Sequence, residues 1–241
     1  ELMPYSGGLQ RNIVQCLEDY DIPLYLSHTI TDIRGKGRVQ SVSISPVNER
    51  REPLEEGSFT LECDTVLLSV GLIPENEITR AAGIEMDPRT NGAVVYENME
   101  TSLPGVFACG NAVQVHDLVD FVTQESERAG AAAARAAPGG QPEGCAPLVL
   151  RAGDGISYTV PQKLRARRLE RGAEIFFRVR GVMDGKRVTV RDAAGALLAS
   201  YPREHMAPGE MERIMLPKKL LDAVKGTVLT IAAEEKEAEK E

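Results

Sequence analysis

The chain has 241 residues, 42% hydrophobic and 27% charged, the balance of a globular protein with room for one large or two ordinary domains. Its net charge of −8 argues against general nucleic-acid binding, and with no apolar run near the roughly 20 residues of a membrane span and no signal segment, a cytoplasmic location is expected. Cys16, Cys63, Cys109 and Cys145 show no C-x-x-C spacing, so neither a metal site nor a local redox disulfide is indicated, and buried thiols are expected.

In chain order, residues 8–20 place Leu9, Ile13, Cys16, Leu17 and Tyr20 on one helical face. Residues 22–26 read as a strand that Pro23 opens. Residues 29–33 and 38–44 alternate with period two around Gly35-Lys36-Gly37, predicting a hairpin; residues 58–63 extend it to a meander and 64–71 read as a buried strand ending in Gly71. A short helix over 77–82 stopped by Gly83 and a strand over 92–96 follow. Residues 106–109 are an apolar run of strand length, Gly110 lets the backbone pass close to a ligand, and a helix-forming run reaches Arg135. Because a helix N-terminus carries unpaired N–H groups and partial positive charge, this strand-turn-helix suits an anionic or electron-rich group.

Residues 138–144 read as a linker from their Pro and Gly content. Beyond it, short alternating strands at 155–160, 174–179, 186–190, 197–201, 212–216 and 227–231 predict a β-sandwich of about 90 residues. Residues 151–203 hold 12 Lys/Arg against 5 Asp/Glu, among them Arg165, Arg167, Arg168 and Arg171; this is either a solvated surface or a docking patch for an acidic partner. Residues 234–241 are almost without apolar content and are expected to be a frayed or disordered tail.

The run Thr101-Ser-Leu-Pro-Gly-Val-Phe-Ala-Cys-Gly-Asn111 and the helix after it resemble the second FAD-contacting segment of the pyridine nucleotide-disulfide oxidoreductases, in the thioredoxin-reductase-like pattern. Asn111 stands where that family usually has Asp; Asn still accepts from a ribityl hydroxyl and donates to a phosphate, without the charge. Residues 70–76, Val-Gly-Leu-Ile-Pro-Glu-Asn, resemble the family's crossover from NAD to FAD domain, which implies Gly71 beside the nicotinamide half of NAD. Glu1 is similarly placed at the end of a nicotinamide-binding strand, where an acidic residue favours NAD(H) over NADP(H). The resemblance also implies that the backbone N–H groups of Gln124 and Glu125 point at the flavin pyrimidine edge.

His116, next to Asp117 ahead of the helix, is the candidate catalytic residue: it either lines the flavin edge and exchanges a proton or is a loop histidine that satisfies backbone groups. The family's redox Cys pair is not visible, and no G-x-G-x-x-G occurs, so the chain is expected to be the C-terminal part of a longer protein and inactive alone. The expected class is α/β: a partial Rossmann-like NAD domain with a three-stranded meander (1–72), the second FAD segment (73–137), a linker (138–145), a small all-β sandwich (146–232) and an acidic tail (233–241). The β-sandwich resembles the domain appended to a subgroup of NAD- and FAD-dependent dehydrogenases of glycerol-3-phosphate-type systems. The function implied is hydride transfer between NAD(H) and FAD and onward to an acceptor or partner subunit, with homo-oligomerisation left open. The alternatives are a non-catalytic scaffold whose basic β-sandwich docks a partner protein, and a chain that binds no dinucleotide.

Overall fold

The computed structural model describes residues 1–136 and 146–235, which divide into two compact units, Glu1–Gly71 and Leu72–Glu241. The predicted linker lies outside the described residues, as does most of the predicted tail.

The first unit opens with α1 (Gln10–Cys16) and one 3-10 turn, Glu18–Tyr20, followed by an antiparallel meander of β1 (His28–Gly35), β2 (Val39–Pro46) and β3 (Phe59–Glu62) in that order. The β1–β2 hairpin requires glycine at its start, since a Cβ on Gly35 would lie 2.0 Å from the Arg38 carbonyl oxygen. Two expectations fail here. Residues 22–26 and 64–71 form no strand, and Ile22, Leu24, Leu67, Leu68 and Val70 are exposed, Val70 at 91%. A buried parallel strand takes its ladder hydrogen bonds from flanking strands, and no described strand pairs with either segment.

The second unit starts with α2 (Glu77–Ala81), which Gly83 ends at φ +73°. Residues 92–96 and 106–109, expected as strands, contribute isolated bridges instead: Met86 with Ala93, Val95 with Thr101, Glu100 with Phe107. They still build a core, in which Ile84, Ala93, Val95, Met99 and Val113 pack with Ala129 of α3 (Val119–Ala136).

The β-rich part is a sandwich. One sheet has β10 (Glu212–Pro217), β7 (Gly172–Val179) and β5 (Ile156–Val160); the other has β6 (Lys163–Leu164), β4 (Leu148–Ala152), β11 (Val228–Glu235), β8 (Met183–Asp192) and β9 (Leu197–Met206). Ile175, Phe177 and Val179 of the first sheet and Val188, Val190, Leu229 and Ile231 of the second meet in one core, closed by Leu221 of α4 (Lys218–Asp222). The strand β11 runs through Glu235 and pairs with β8 as far as Lys186, so residues 233–235 belong to the sheet and not to a tail.

The sandwich is joined to the preceding segment by polar contacts as well as apolar ones. Gln162 accepts the Val95 N–H and donates to Asp87; Arg165 binds Glu97, Asn98 and Glu100 and stacks 4.2 Å over the Tyr96 ring. Arg165 is therefore an internal residue, 6% exposed, and not part of a docking patch as the basic run had suggested.

Candidate functional site

The turn Gly110–Ala112 is the centre of the site. Gly110 has φ +65°, a left-handed conformation that costs a Cβ-bearing residue, and a Cβ there would sit 3.2 Å from Val122 Cγ1 in the first turn of α3. Several hydrogen bonds hold the turn. The buried Asn76 amide donates to the Ala112 carbonyl (2.8 Å) and to that of Asn91 (3.0 Å). The Gly110 N–H donates to Glu125 Oε2 (3.0 Å), the Gly110 carbonyl accepts the Val113 N–H, and Asn111 Oδ1 accepts the His116 N–H (3.2 Å).

Beneath the turn lies a buried polar cluster. The Glu125 carboxylate accepts from Gln114 Nε2 (2.7 Å), and His116 Nε2 lies 3.1 Å from Glu125 Oε2, with both side chains 1% exposed. The His116–Glu125 approach falls outside hydrogen-bond angles, so both ring nitrogens of His116 and Gln114 Oε1 are without a hydrogen bond among the described residues. The His116 ring packs edge-on to Phe176 (6.3 Å between centroids) and tilted to Phe121 (6.4 Å).

The loop between turn and helix is tied to the sandwich. Arg178 of β7 donates to the Val115 carbonyl (3.1 Å), to Asp117 Oδ1, to the Pro208 carbonyl (3.0 Å) and to the Tyr158 hydroxyl (3.1 Å), while Asp117 Oδ2 accepts the Met211 N–H. Burial pushes the Tyr158 phenol above its ordinary value, against the opposing pull of Arg178.

The structure thus brings together Gly110, Asn111, Glu125 and His116 of the expected site residues. Gln124 is exposed on α3. The expected roles of the Gln124 and Glu125 N–H groups need correction: these residues are sixth and seventh in α3, past the first four whose N–H groups a helix leaves free. The exposed Val119 and Asp120 hold that position, and Glu125 acts through its side chain. In the first unit, Gly71 is exposed at φ +91°, and Glu1 is exposed with Oε1 accepting the Met3 N–H. Among the described residues the thiols are not buried: Cys16 is exposed, Cys63 and Cys109 are half-buried, and Cys145 lies outside the described residues. Asn76, Gln114 and Arg178 were missed. Asn76 stands in the crossover motif, where the sequence gives it no role, and nothing local to the other two marks them.

An FAD fits these residues in its polar contacts. The Asn111 amide NH2 is exposed and makes no hydrogen bond among the described residues, and it stands beside a helix first turn with free N–H groups.

A family model for pyridine nucleotide-disulphide oxidoreductase matches residues 2–136. The chain belongs to that family. NADH oxidase of Streptococcus pneumoniae is 32% identical over 114 residues, which is 47% of this chain and 22% of that protein. Putidaredoxin reductase of Pseudomonas putida is 40% identical over 61 residues, 25% of this chain and 14% of that protein. This chain therefore spans about a fifth or less of these relatives. A thioredoxin reductase structure from T. acidophilum aligns at TM-score 0.49 and 24% identity, covering 57% of this chain and 43% of that one. Among the described residues no helix is long and apolar enough to cross a membrane.

Proposed function

We propose that this chain supplies part of an FAD-dependent oxidoreductase that passes a hydride between NAD(H) and FAD and electrons onward to an acceptor. The observation that carries this reading is the locked Gly110–Ala112 turn, with the exposed Asn111 amide set against the first turn of α3. Asn111 would hold the flavin's ribityl or phosphate oxygens through its NH2, and the N–H groups of Val119 and Asp120 would face the pyrimidine edge, where negative charge gathers on reduction. Bound there, FAD supplies the hydride chemistry. Glu125 and Gln114 keep the turn rigid from below, so that the donors are in place before the ligand arrives. Gly71 would permit close approach of the nicotinamide and Glu1 would bind the adenosine ribose, favouring NAD(H). His116 is buried against Glu125 and positions the turn from within.

A second reading, a docking role for the basic segment, keeps Arg167, Arg168 and Arg171, which are exposed. Arg168 and Arg171 line a groove of about 740 Å³ with Arg128 and Arg135, and Glu97, Glu100, Glu170 and Glu174 line it too, so its charge is mixed.

The test is the visible spectrum of the purified protein. Flavin bands that bleach on anaerobic addition of NADH are the expected result. A colourless protein that takes up no added FAD overturns the proposal.

A further inference from the structure

The strand β7 alternates Glu174, Phe176, Arg178 on one face with Ile175, Phe177, Val179 on the other. The second set is the sandwich core. The first set carries charge and an aromatic ring, yet Phe176 is 1% exposed, so that face is covered too. Its cover is the segment that holds the candidate cofactor turn. Glu174 binds Arg128 of α3 (3.0 Å), Phe176 packs on His116 and on Phe121 (5.4 Å), and Arg178 takes the Val115 carbonyl and Asp117.

We propose that the β-sandwich is a structural wall of the cofactor site, in which Arg178 is the positioning residue that sets residues 115–117 and so the first turn of α3. The inference rests on the flavin reading of Asn111 and α3, and adds that the sandwich is required for it. The guanidinium suits the task because its planar fork reaches four acceptors from fixed directions at once: Nε to Tyr158, one terminal nitrogen to Pro208 and the other to both Val115 and Asp117. Asp117 in turn ties β7 to the loop ahead of β10, taking Arg178 on one oxygen and the Met211 N–H on the other. Loss of this clamp leaves the residues just ahead of α3 with the Asn111–His116 bond and the packing of the His116 ring on Phe121, Phe176 and Glu125, so the free N–H groups of the first turn lose their fixed direction. The charged and titratable groups about the clamp include Asp117, Tyr158, Asp87, Glu125, His116 and, over the Phe121 ring at 5.7 Å, Arg213.

The experiment compares Arg178→Lys, Asp117→Asn and Arg191→Lys in the full-length protein. Arg178→Lys keeps the charge and loses the fork. Asp117→Asn keeps an acceptor for Arg178 and sets a donor against the Met211 N–H. Arg191→Lys is a control that weakens a pair with Glu234 on the other sheet. Three quantities are read: amide hydrogen exchange over residues 113–122 without FAD, the FAD dissociation constant, and the midpoint potential of the bound flavin. For Arg178→Lys and Asp117→Asn the expected result is faster exchange in that stretch, an FAD affinity weakened on the order of tenfold, and a shifted potential. Arg191→Lys changes none of the three. If both clamp variants keep wild-type affinity and potential while Asn111→Leu loses flavin, the wall proposal is wrong and the flavin reading stands. If Asn111→Leu binds FAD as the wild type does, the flavin reading itself has failed.

Discussion

The two units differ in what they bury. Of the 71 residues in Glu1–Gly71, only Val42 and Ser45 are buried, and α1 has no buried residue at all. The second unit has two cores and a set of buried polar groups, among them Asn76, Glu100, Gln114, Glu125 and Arg165. Both units come from sequence of ordinary amphipathic pattern, so the contrast lies in cover. The meander of the first unit is turn-rich and locally paired, whereas the two sheets of the sandwich bury a shared core. Local hydrogen bonding alone makes a sheet, and burial makes a stable one.

Breaking the cover of the second unit therefore has the largest expected effect. Arg165→Ala strands the Glu97 and Glu100 carboxylates, which are 8% and 9% exposed, and should lower unfolding free energy by about 3–5 kcal/mol in denaturant titration. Phe177→Ala, in the sandwich core, should cost about 3–5 kcal/mol by the same measurement. Gly110→Ala, which forces a side chain into a left-handed turn against Val122, should cost about 1–2 kcal/mol and weaken FAD binding together with stability.

Glu100 sharpens the comparison through pH. Burial raises its carboxyl, but the Gly105 N–H, Arg165 and Asn98 outweigh that and hold it below the ordinary carboxylate range. A carboxyl depressed in the folded state binds its proton less readily there than when unfolded. Its stabilisation is thus present above the unfolded value and is lost as pH falls through the folded one. Glu100→Gln should be less stable than wild type near neutrality, and the gap should close in acid, below the ordinary carboxylate range. Equal pH profiles for the two proteins would contradict this. At the small end, Ile33→Ala, at a residue 47% exposed on β1, should change stability by about 0.5 kcal/mol or less. Amides of α1 should exchange with solvent well before those of β7 and β8.

What was legible in the sequence follows the same division. The hairpin around Gly35 to Gly37 and six sandwich strands are local signals, since alternation and a glycine turn need only near neighbours. Residues 22–26 and 64–71 have the composition of strands, but a strand needs partners, and apolar content does not say whether they are present. Helix α3 starts at Val119, ahead of the Gln124 and Glu125 that the resemblance put beside the flavin, because tertiary ties at Val115 and Asp117, not a local capping pattern, precede it. Glu125 had a signal that went unread. It falls with Ala129 and Ala132 at i, i+4 and i+7, the buried side of α3, where an acid needs buried donors. Gln114 and Arg178 carry no such mark, since their partners are set by the fold.

The central claim is that Asn111 and the first turn of α3 hold a flavin. The most direct measurement is the FAD dissociation constant of the full-length protein against that of Asn111→Leu, with thermal unfolding followed in parallel. The account predicts a weakening on the order of tenfold or more at Asn111→Leu, whereas losing the exposed bond to the His116 N–H lowers the unfolding temperature only modestly. Equal affinities for the two proteins would contradict it.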